Sequence, residues 1–202
     1  TGSAAIVPDR EALTRDHWFD LASVSKVIAT TTMILTLAEQ GRLDLDRPLT
    51  DAIPDLRQYD VAHAAERRLT FRDCLAHRTF LPAVEPIYTY GDDPARLRAF
   101  VLQREWRHGP AVYSDINFIL LGAIVEKLTG EPIDTYVQQN VFTPLGMRDT
   151  HYLPAKKACG PYRIRGTALA YDPSSRPDDD CAAGTWSTDL LARIAPTAID
   201  ED

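Results

Sequence analysis

Ser23-Val24-Ser25-Lys26 stands between the strand-like residues 18–21 and a long apolar run that we predict to be a helix. Positions i and i+3 lie on one face of a helix, so this spacing predicts that the Ser23 hydroxyl lies beside the Lys26 amine. A serine hydroxyl becomes a good nucleophile when a neighbouring base accepts its proton, and a lysine with a lowered pKa can be that base. The stretch therefore indicates acyl transfer through a covalent intermediate on Ser23.

The same four residues have an ordinary structural interpretation. Serine is a common cap in the first turn of a helix, and S-x-x-K occurs by chance in many helices. The surroundings favour the functional interpretation, because residues 27–38 are apolar enough to bury the start of the helix. A buried lysine needs a charged partner or a chemical role. Ser25 is the less suitable nucleophile, because it is next to Lys26 rather than on its helix face.

Composition places the chain among ordinary globular proteins. Its 202 residues carry 22 basic and 29 acidic side chains, a formal net charge of −7. We expect no nucleic-acid partner, because no basic patch is interleaved with aromatic residues. We expect no membrane span either, because the longest apolar run is too short and too polar. Localisation stays open: cytoplasmic for the sequence as it stands, and periplasmic or secreted if a leader has been removed.

No sequence pattern indicates a metal or an organic cofactor. Neither a G-x-G-x-x-G segment nor a P-loop is present. The odd number of cysteines fits no disulfide framework, and the histidines have no paired ligand spacing. The residues concerned are Cys74, Cys159, Cys181, His17, His63, His77, His108 and His151. We therefore expect no cofactor and no metal site, and we predict that Cys74 is a small core residue.

Helix signals dominate the first three quarters of the chain. They are apolar periodicity, a capping box at Thr70 and Asp73, a proline at position 94 and a closing glycine at Gly41. The predicted helices span 24–40, 71–77, 94–104, 115–128 and 132–140. Strand signals are few, at 5–7, 18–21 and 167–171. Residues 153–202 are predicted to form an irregular, partly mobile tail, because 172–180 are rich in proline, serine and aspartate.

Tyr113-Ser114-Asp115, directly before a predicted helix, is a second candidate site segment. A loop tyrosine can act as a general base if a cation stabilises its phenolate, and Lys26 would be that cation. The commoner role of such a tyrosine is to anchor a loop. The residues themselves leave both interpretations open.

These segments resemble the serine β-lactamase and penicillin-binding-protein superfamily. The similar branch contains class C β-lactamases, D-alanyl-D-alanine carboxypeptidases and β-lactamase-like esterases. Five segments agree in order over roughly residues 18–152: 19–26, 41–49, 75–82 (without the family's glycine), 113–122 and 144–150. The resemblance implies an α+β fold of the β-lactamase type, largely the helical domain with a reduced antiparallel sheet. We expect residues 1–202 to form a single domain of this kind.

The resemblance also implies roles for individual residues. Ser23 would be the nucleophile, Lys26 would assist its deprotonation, and Tyr113 would be the general base or proton shuttle. Asp115 stands at a substrate-binding position where many relatives have asparagine. An acid there keeps an acceptor but loses the amide donors, which favours an ester or another amide over a good β-lactam substrate. Alternatively, Asp115 only pairs with Lys26 or caps the following helix. His77 is expected to be structural.

The chain departs from the family's pattern after residue 152. Relatives carry a Lys/His-Thr/Ser-Gly motif on a late strand that lines the site and provides an oxyanion-hole donor, and this sequence has no such motif. The loss of one such donor typically lowers the rate by about 10²- to 10³-fold. Three interpretations stay open: a fragment that another segment or chain completes, a member that completes its sheet by dimerising, or a degenerate domain that binds without catalysing.

The leading hypothesis is a serine hydrolase. In it, Ser23 attacks the carbonyl of a small-molecule ester or amide, of β-lactam-like or D-alanyl type, and water then releases the acyl group. One alternative is an acyltransferase that uses the same residues. The other is a non-catalytic, β-lactamase-like binding domain, which the missing late motif favours.

Overall fold

The structure is a computed structural model. It describes residues 2–5, 10–15, 17–19, 21–85, 87–90, 93–148, 150, 152 and 163–165. The chain divides into two compact units. One contains the described residues within Thr1–Val24 and Gln138–Asp200, and we call it the strand unit. The other, Ser25–Val137, is the helical unit.

The helical unit contains one π-helix, three short 3₁₀-helices and five α-helices among its described residues. The π-helix spans Lys26–Thr31, and the 3₁₀-helices span Leu49–Asp51, Ala65–Arg68 and Ile87–Tyr90. The α-helices are α1 (Thr32–Glu39), α2 (Phe71–Leu75), α3 (Pro94–Gln103), α4 (Asp115–Thr129) and α5 (Ile133–Val137). Helix α4 is the centre of the unit, since it packs against α1, α2, α3 and α5.

The predicted starts of α2 and α3 and the predicted end of α4 are confirmed, whereas the helix predicted over 132–140 is α5 followed by a π-helix at Gln138–Phe142. At α2, the Thr70 side chain accepts from the Asp73 N–H while the Asp73 carboxylate accepts from the Thr70 N–H. Asp93 caps α3 by accepting from a backbone N–H of the first turn. Gly130 ends α4 with φ 77°, a left-handed conformation that costs little only without a Cβ atom. These ends agree with the sequence because each depends on residues a few positions apart.

The first helix differs from a uniform α-helix. The sequence predicted one helix over 24–40, but Lys26–Thr31 is a π-helix that continues into α1. Gly41, with φ 71°, follows its end as predicted. A π-helical turn accommodates one extra residue, and such turns are frequent at functional sites. Apolar periodicity predicts a helix here but does not distinguish the two helix types.

The core of the helical unit lies where the apolar faces of α1 and α4 meet. Fully buried side chains from both helices form it: Met33, Ile34, Leu37, Ile116, Leu121, Ile124 and Val125. Helix α2 adds Phe71 and Cys74. Cys74 is therefore the small core residue that the sequence predicted, and burial raises the pKa of its thiol.

The strand unit contains β1 (Ser3–Ala5), β2 (Glu11–Ala12), β3 (His17–Phe19) and β4 (Arg163–Arg165). It also contains a π-helix at Gln138–Phe142. Strands β1 and β2 are antiparallel, whereas β3 and β4 are parallel. The expectation of a reduced antiparallel sheet is thus met by the first pair and wrong for the second. The pattern of a single strand does not reveal the direction of a partner so distant in the chain.

Some predicted elements lie outside the described residues. The strand predicted at 5–7 is found at Ser3–Ala5 instead, and residues 6–7 are not described. The strand predicted at 167–171 and nearly all of the predicted tail 153–202 are also outside the described part. The prediction of a single domain over 1–202 stays a prediction. None of the helices in the described ranges has both the length and the apolar character that a bilayer crossing requires.

Candidate active site

Ser23 lies in a tight turn that precedes the first helix and belongs to the strand unit. The turn is closed by a hydrogen bond of 2.9 Å from the Val24 N–H to the Leu21 carbonyl. Within it, Ala22 has φ 44°, a left-handed conformation that a residue with a Cβ atom rarely adopts. The side chain of Ser23 is partly buried. The predicted nucleophile therefore follows a strained residue in a defined turn.

Lys26 is the first residue of the π-helix in the helical unit, and it is only 7% exposed. Its Nζ lies 2.9 Å from Oδ1 of Asp115, which is the first residue of α4. Both side chains of this ion pair are largely withdrawn from solvent, at 8% and 13% exposure. A buried ammonium needs such a partner, and the carboxylate favours its charged form. The alternative that Asp115 pairs with Lys26 is therefore found in the structure.

Tyr113 lies in the loop before α4 and is 52% exposed. Lys26 Nζ lies 5.2 Å from the centroid of its ring and 6.0 Å from that of Phe118, on α4. A cation at this distance is attracted by the electron-rich face of an aromatic ring. The helical unit thus brings together three of the four predicted site residues, namely Lys26, Tyr113 and Asp115. Ser23 precedes Lys26 by one predicted helical turn in the sequence.

The loop that carries Tyr113 is tied to the turn after α2 by three hydrogen bonds. The Ser114 N–H donates to Nδ1 of His77 at 2.9 Å, and the Ser114 hydroxyl donates to the Pro82 carbonyl at 2.6 Å. The Asp115 N–H donates to the Ala83 carbonyl at 2.8 Å. Ser114 is fully buried, so these bonds satisfy polar groups that water does not reach. The position of the tyrosine loop therefore depends on this turn.

A buried polar pair extends the same connection and was not singled out from the sequence. The Thr79 hydroxyl donates to Oδ1 of Asn117 at 2.8 Å, and Nδ2 of Asn117 lies 3.3 Å from His77 Nδ1. Asn117 is fully buried and Thr79 is 3% exposed. Both residues lie inside segments on which the family resemblance rests. The available signal was a polar residue on the apolar face of a predicted helix, which usually needs a buried partner.

The ring of His77 packs against that of the candidate base, at a tilt of 30°. Its ring centroid lies 4.3 Å from that of Tyr113 and 5.1 Å from that of Phe118. Burial, followed by the positive charge of Lys26, lowers the pKa of His77 below its usual 6.5, against the opposing effect of Asp115. Because Nδ1 accepts the Ser114 N–H, the neutral ring carries its proton on Nε2.

No metal or cofactor is implied by this set of residues. Within the described ranges, no three or more His, Cys, Asp and Glu side chains are grouped so that they could hold a metal ion. Within the helical unit, the groups available for chemistry are a phenol and a buried ammonium–carboxylate pair.

The chain belongs to the Beta-lactamase family, whose family model matches residues 3–198. It is 32% identical over 161 residues to an N-acetylmuramyl-L-alanine amidase of Bacillus subtilis (strain 168), covering 74% of this chain and 36% of that protein. It is 30% identical over 163 residues to a putative D-alanyl-D-alanine carboxypeptidase of Escherichia coli (strain K12), covering 75% of this chain and 37% of the relative. The chain thus spans less than two fifths of these relatives' length.

Solved structures show the same relationship. A class C β-lactamase from Rhodobacter sphaeroides is 32% identical with a TM-score of 0.56, over 72% of this chain and 40% of the other. A D-amino acid amidase from Ochrobactrum anthropi is 28% identical with a TM-score of 0.56, over 73% and 41%. The predicted superfamily and its β-lactamase-like fold are confirmed, and the relatives' names are those of hydrolases.

Proposed function

We propose that this chain is a serine hydrolase in which Ser23 forms an acyl-enzyme with an ester or amide, of β-lactam-like or D-alanyl type. The observation that carries the proposal is the buried ion pair between Lys26 and Asp115, 2.9 Å long, beside the exposed ring of Tyr113. The amidase and carboxypeptidase relatives support a carbonyl compound as the substrate class.

The ion pair favours one assignment of the proton acceptor. Asp115 favours the ammonium form of Lys26, and an ammonium group has no lone pair for the serine proton. Lys26 is therefore proposed as the fixed cation that stabilises the phenolate of Tyr113, and Tyr113 as the general base. This choice decides between the two roles that the sequence left open for the lysine.

The proposed reaction has two half-reactions. In acylation, the Ser23 Oγ bonds to the carbonyl carbon while its proton passes to the Tyr113 phenolate, which then protonates the leaving alcohol or amine. In deacylation, water attacks the acyl carbon and gives a proton to Tyr113, which returns it to the departing Ser23 oxygen. The strained φ of 44° at Ala22 supports a functional turn at Ser23, because such strain clusters at active sites.

Asp115 is also proposed to contact the substrate, as the resemblance implies. A carboxylate in this position acts only as an acceptor, which favours a substrate that presents an N–H or O–H group. The ion pair with Lys26 is the better supported role, since it is seen directly.

The test is intact-mass spectrometry after exposure to a fluorophosphonate probe. We expect one adduct on the wild type and on Ser25→Ala, the matched control at the neighbouring serine, and none on Ser23→Ala. Circular dichroism of each variant shows whether it is folded. An adduct that survives in Ser23→Ala, or a folded wild type that gives no adduct, would refute the hydrolase. The second result would favour the non-catalytic binding domain.

The release of the acyl group distinguishes an acyltransferase from a hydrolase. If an acyl-enzyme forms from an activated ester but its release requires an added alcohol or amine, the chain is an acyltransferase. Release by water at a rate independent of such acceptors supports the hydrolase.

A further inference from the structure

Three interactions of the candidate site meet at His77. Its Nδ1 accepts the Ser114 N–H and lies 3.3 Å from the Asn117 amide nitrogen, and its ring stacks on Tyr113 at 4.3 Å. One backbone hydrogen bond and one ring contact of the tyrosine loop therefore involve the same imidazole.

We propose that His77 is a positioning residue that holds Tyr113 beside Lys26 only while its imidazole is neutral. This inference rests on the function proposed above. It goes beyond that function because it assigns the acid limb of the pH–rate profile to a residue that exchanges no proton with the substrate.

The hydrogen-bond donors around the ring explain why the neutral form is required. The Ser114 N–H points at Nδ1, and a backbone N–H can only donate. If Nδ1 takes up a proton, two donors face each other and the fully buried Ser114 loses the acceptor of its N–H. The loop must then move to satisfy that group, and Tyr113 moves with it.

The net effect of the nearby charges also disfavours a protonated His77 ring. Lys26, on the π-helix, repels an imidazolium and outweighs the opposing carboxylate of Asp115 on α4. On the turn of His77 itself, Arg78 pairs with Asp73 at 3.6 Å. The tyrosine loop also packs against His77, and its titratable residue there is Tyr113, whose ring lies 4.3 Å from that of His77 between centroids. Burial first, and then the charge of Lys26, lower the pKa of His77 below its usual value.

The backbone conformation at His77 allows a substitution that keeps the hydrogen-bond acceptor and removes the titration. Its φ of 51° is left-handed, a conformation that asparagine tolerates better than other residues with a Cβ atom. In His77→Asn, the amide oxygen is attached to Cγ as Nδ1 is, so it can accept the Ser114 N–H without titrating. His77→Ala removes the acceptor and the ring together. His63→Asn is the matched control, since the exposed His63 pairs with Asp60 rather than with a residue of the tyrosine loop.

The experiment measures the rate of fluorophosphonate labelling between about pH 5 and about pH 8, where histidine titrates. We expect the wild type and His63→Asn to lose labelling on the acid side, and His77→Asn to lack that acid limb. At neutral pH, His77→Asn should remain within about tenfold of the wild type, whereas His77→Ala should fall by about 10²-fold because the base is misplaced. An acid limb that persists unchanged in His77→Asn would overturn the proposal.

NMR of ¹⁵N-histidine-labelled protein gives a readout that needs no activity. We expect the His77 ring, assigned by its loss in His77→Asn, to carry its proton on Nε2 and to titrate at the same pH as the acid limb. A proton on Nδ1 at neutral pH would overturn the proposal even if labelling is normal. A wild type that is never labelled refutes the proposed hydrolase instead, and the NMR titration still reports on His77 independently.

Discussion

Among its described residues, the helical unit has two buried ion pairs that are similar in distance and differ in their surroundings. Lys26 and Asp115 lie 2.9 Å apart, and Arg57 and Glu66 lie 3.2 Å apart, with at most 13% exposure for any of the four side chains. Burial of opposite charges is therefore not in itself a mark of function. What differs is the set of groups that each pair faces.

Arg57 and Glu66 are enclosed by structural hydrogen bonds. Arg57 also bonds to Asp60 at 3.3 Å, and Glu66 accepts the Trp106 N–H at 3.0 Å through the same oxygen that contacts Arg57. An arginine guanidinium stays charged and offers a rigid fork of donors, so this pair can link loop segments without a proton transfer of its own.

The pair of Lys26 and Asp115 instead faces two aromatic residues with titratable groups, Tyr113 and His77. The tyrosine is half exposed, so a substrate from solvent can reach it. A lysine ammonium is a compact charge that acts over a few ångströms on its neighbours. A buried ion pair therefore indicates a catalytic site when a titratable, accessible group lies against it.

The largest expected difference between the two pairs appears when the charges of each are removed. In Lys26→Met/Asp115→Asn, labelling of Ser23 should fall roughly 10³-fold, since the cation that stabilises the phenolate is gone. Arg57→Met/Glu66→Gln, the matched control, should label within about threefold of the wild type because its groups touch no reacting atom. Labelling kinetics on folded protein measure both. Equal losses in the two double variants would show that the pairs do not differ in function.

The second largest expected effect is a loss of stability when the pair of Arg57 and Glu66 is broken. Glu66→Ala leaves the Arg57 charge buried and the Trp106 N–H without its acceptor, which should lower the free energy of unfolding by about 3 kcal/mol. Urea denaturation measures this change. The labelling rate of the folded protein should stay near that of the wild type. A loss of labelling in a fully folded Glu66→Ala protein would contradict a purely structural role.

Tyr113→Phe separates the proposed base from its ring contacts. The variant keeps the stacking on His77 and loses only a hydroxyl from a half-exposed side chain, so labelling should fall about 10²-fold. Stability should change by less than about 0.5 kcal/mol. Tyr59→Phe, at a residue that is 86% exposed, is the control and should match the wild type. If both phenylalanine variants label normally, Tyr113 is not the base.

The smallest expected effect is a pH dependence of stability that arises from His77, beside the pair of Lys26 and Asp115. Because the folded pKa of His77 is lowered, the unfolded chain binds more protons between that pKa and about 6.5. The free energy of unfolding should therefore decrease as the pH falls through this window. Urea denaturation at several pH values should show a weaker decrease for His77→Asn. An identical pH dependence in the two proteins would mean that His77 is not the group responsible.

Local sequence signals predicted much of the helical unit correctly. The capping box of Thr70 and Asp73, the cap at Asp93 and the terminal glycine Gly130 all lie where the sequence placed helix ends. Two of the features that were not predicted show why local signals are not sufficient. The π-helix at Lys26–Thr31 and the parallel pairing of β3 with β4 depend on how a segment packs, which apolar periodicity does not encode.

The candidate site shows the same division. Lys26, Tyr113 and Asp115 were named from motifs, and the structure brings them together in the helical unit. His77 was expected to be structural, and its bond to the Ser114 N–H could not be read from a turn motif. The roles of all these residues, and that of Ser23, remain proposals that the labelling experiments test.

The amino-acid sequence alone was sufficient for the family and for several helix ends, and it proposes Ser23 as the nucleophile. Each of these depends on residue types at short, fixed spacings, where backbone geometry leaves few alternatives. The folded chain was needed to show that Asp115 neutralises Lys26, that His77 supports the tyrosine loop, and that Arg57 and Glu66 form a second buried pair. These contacts join segments far apart in the chain, and their burial and distance arise only when the helices pack.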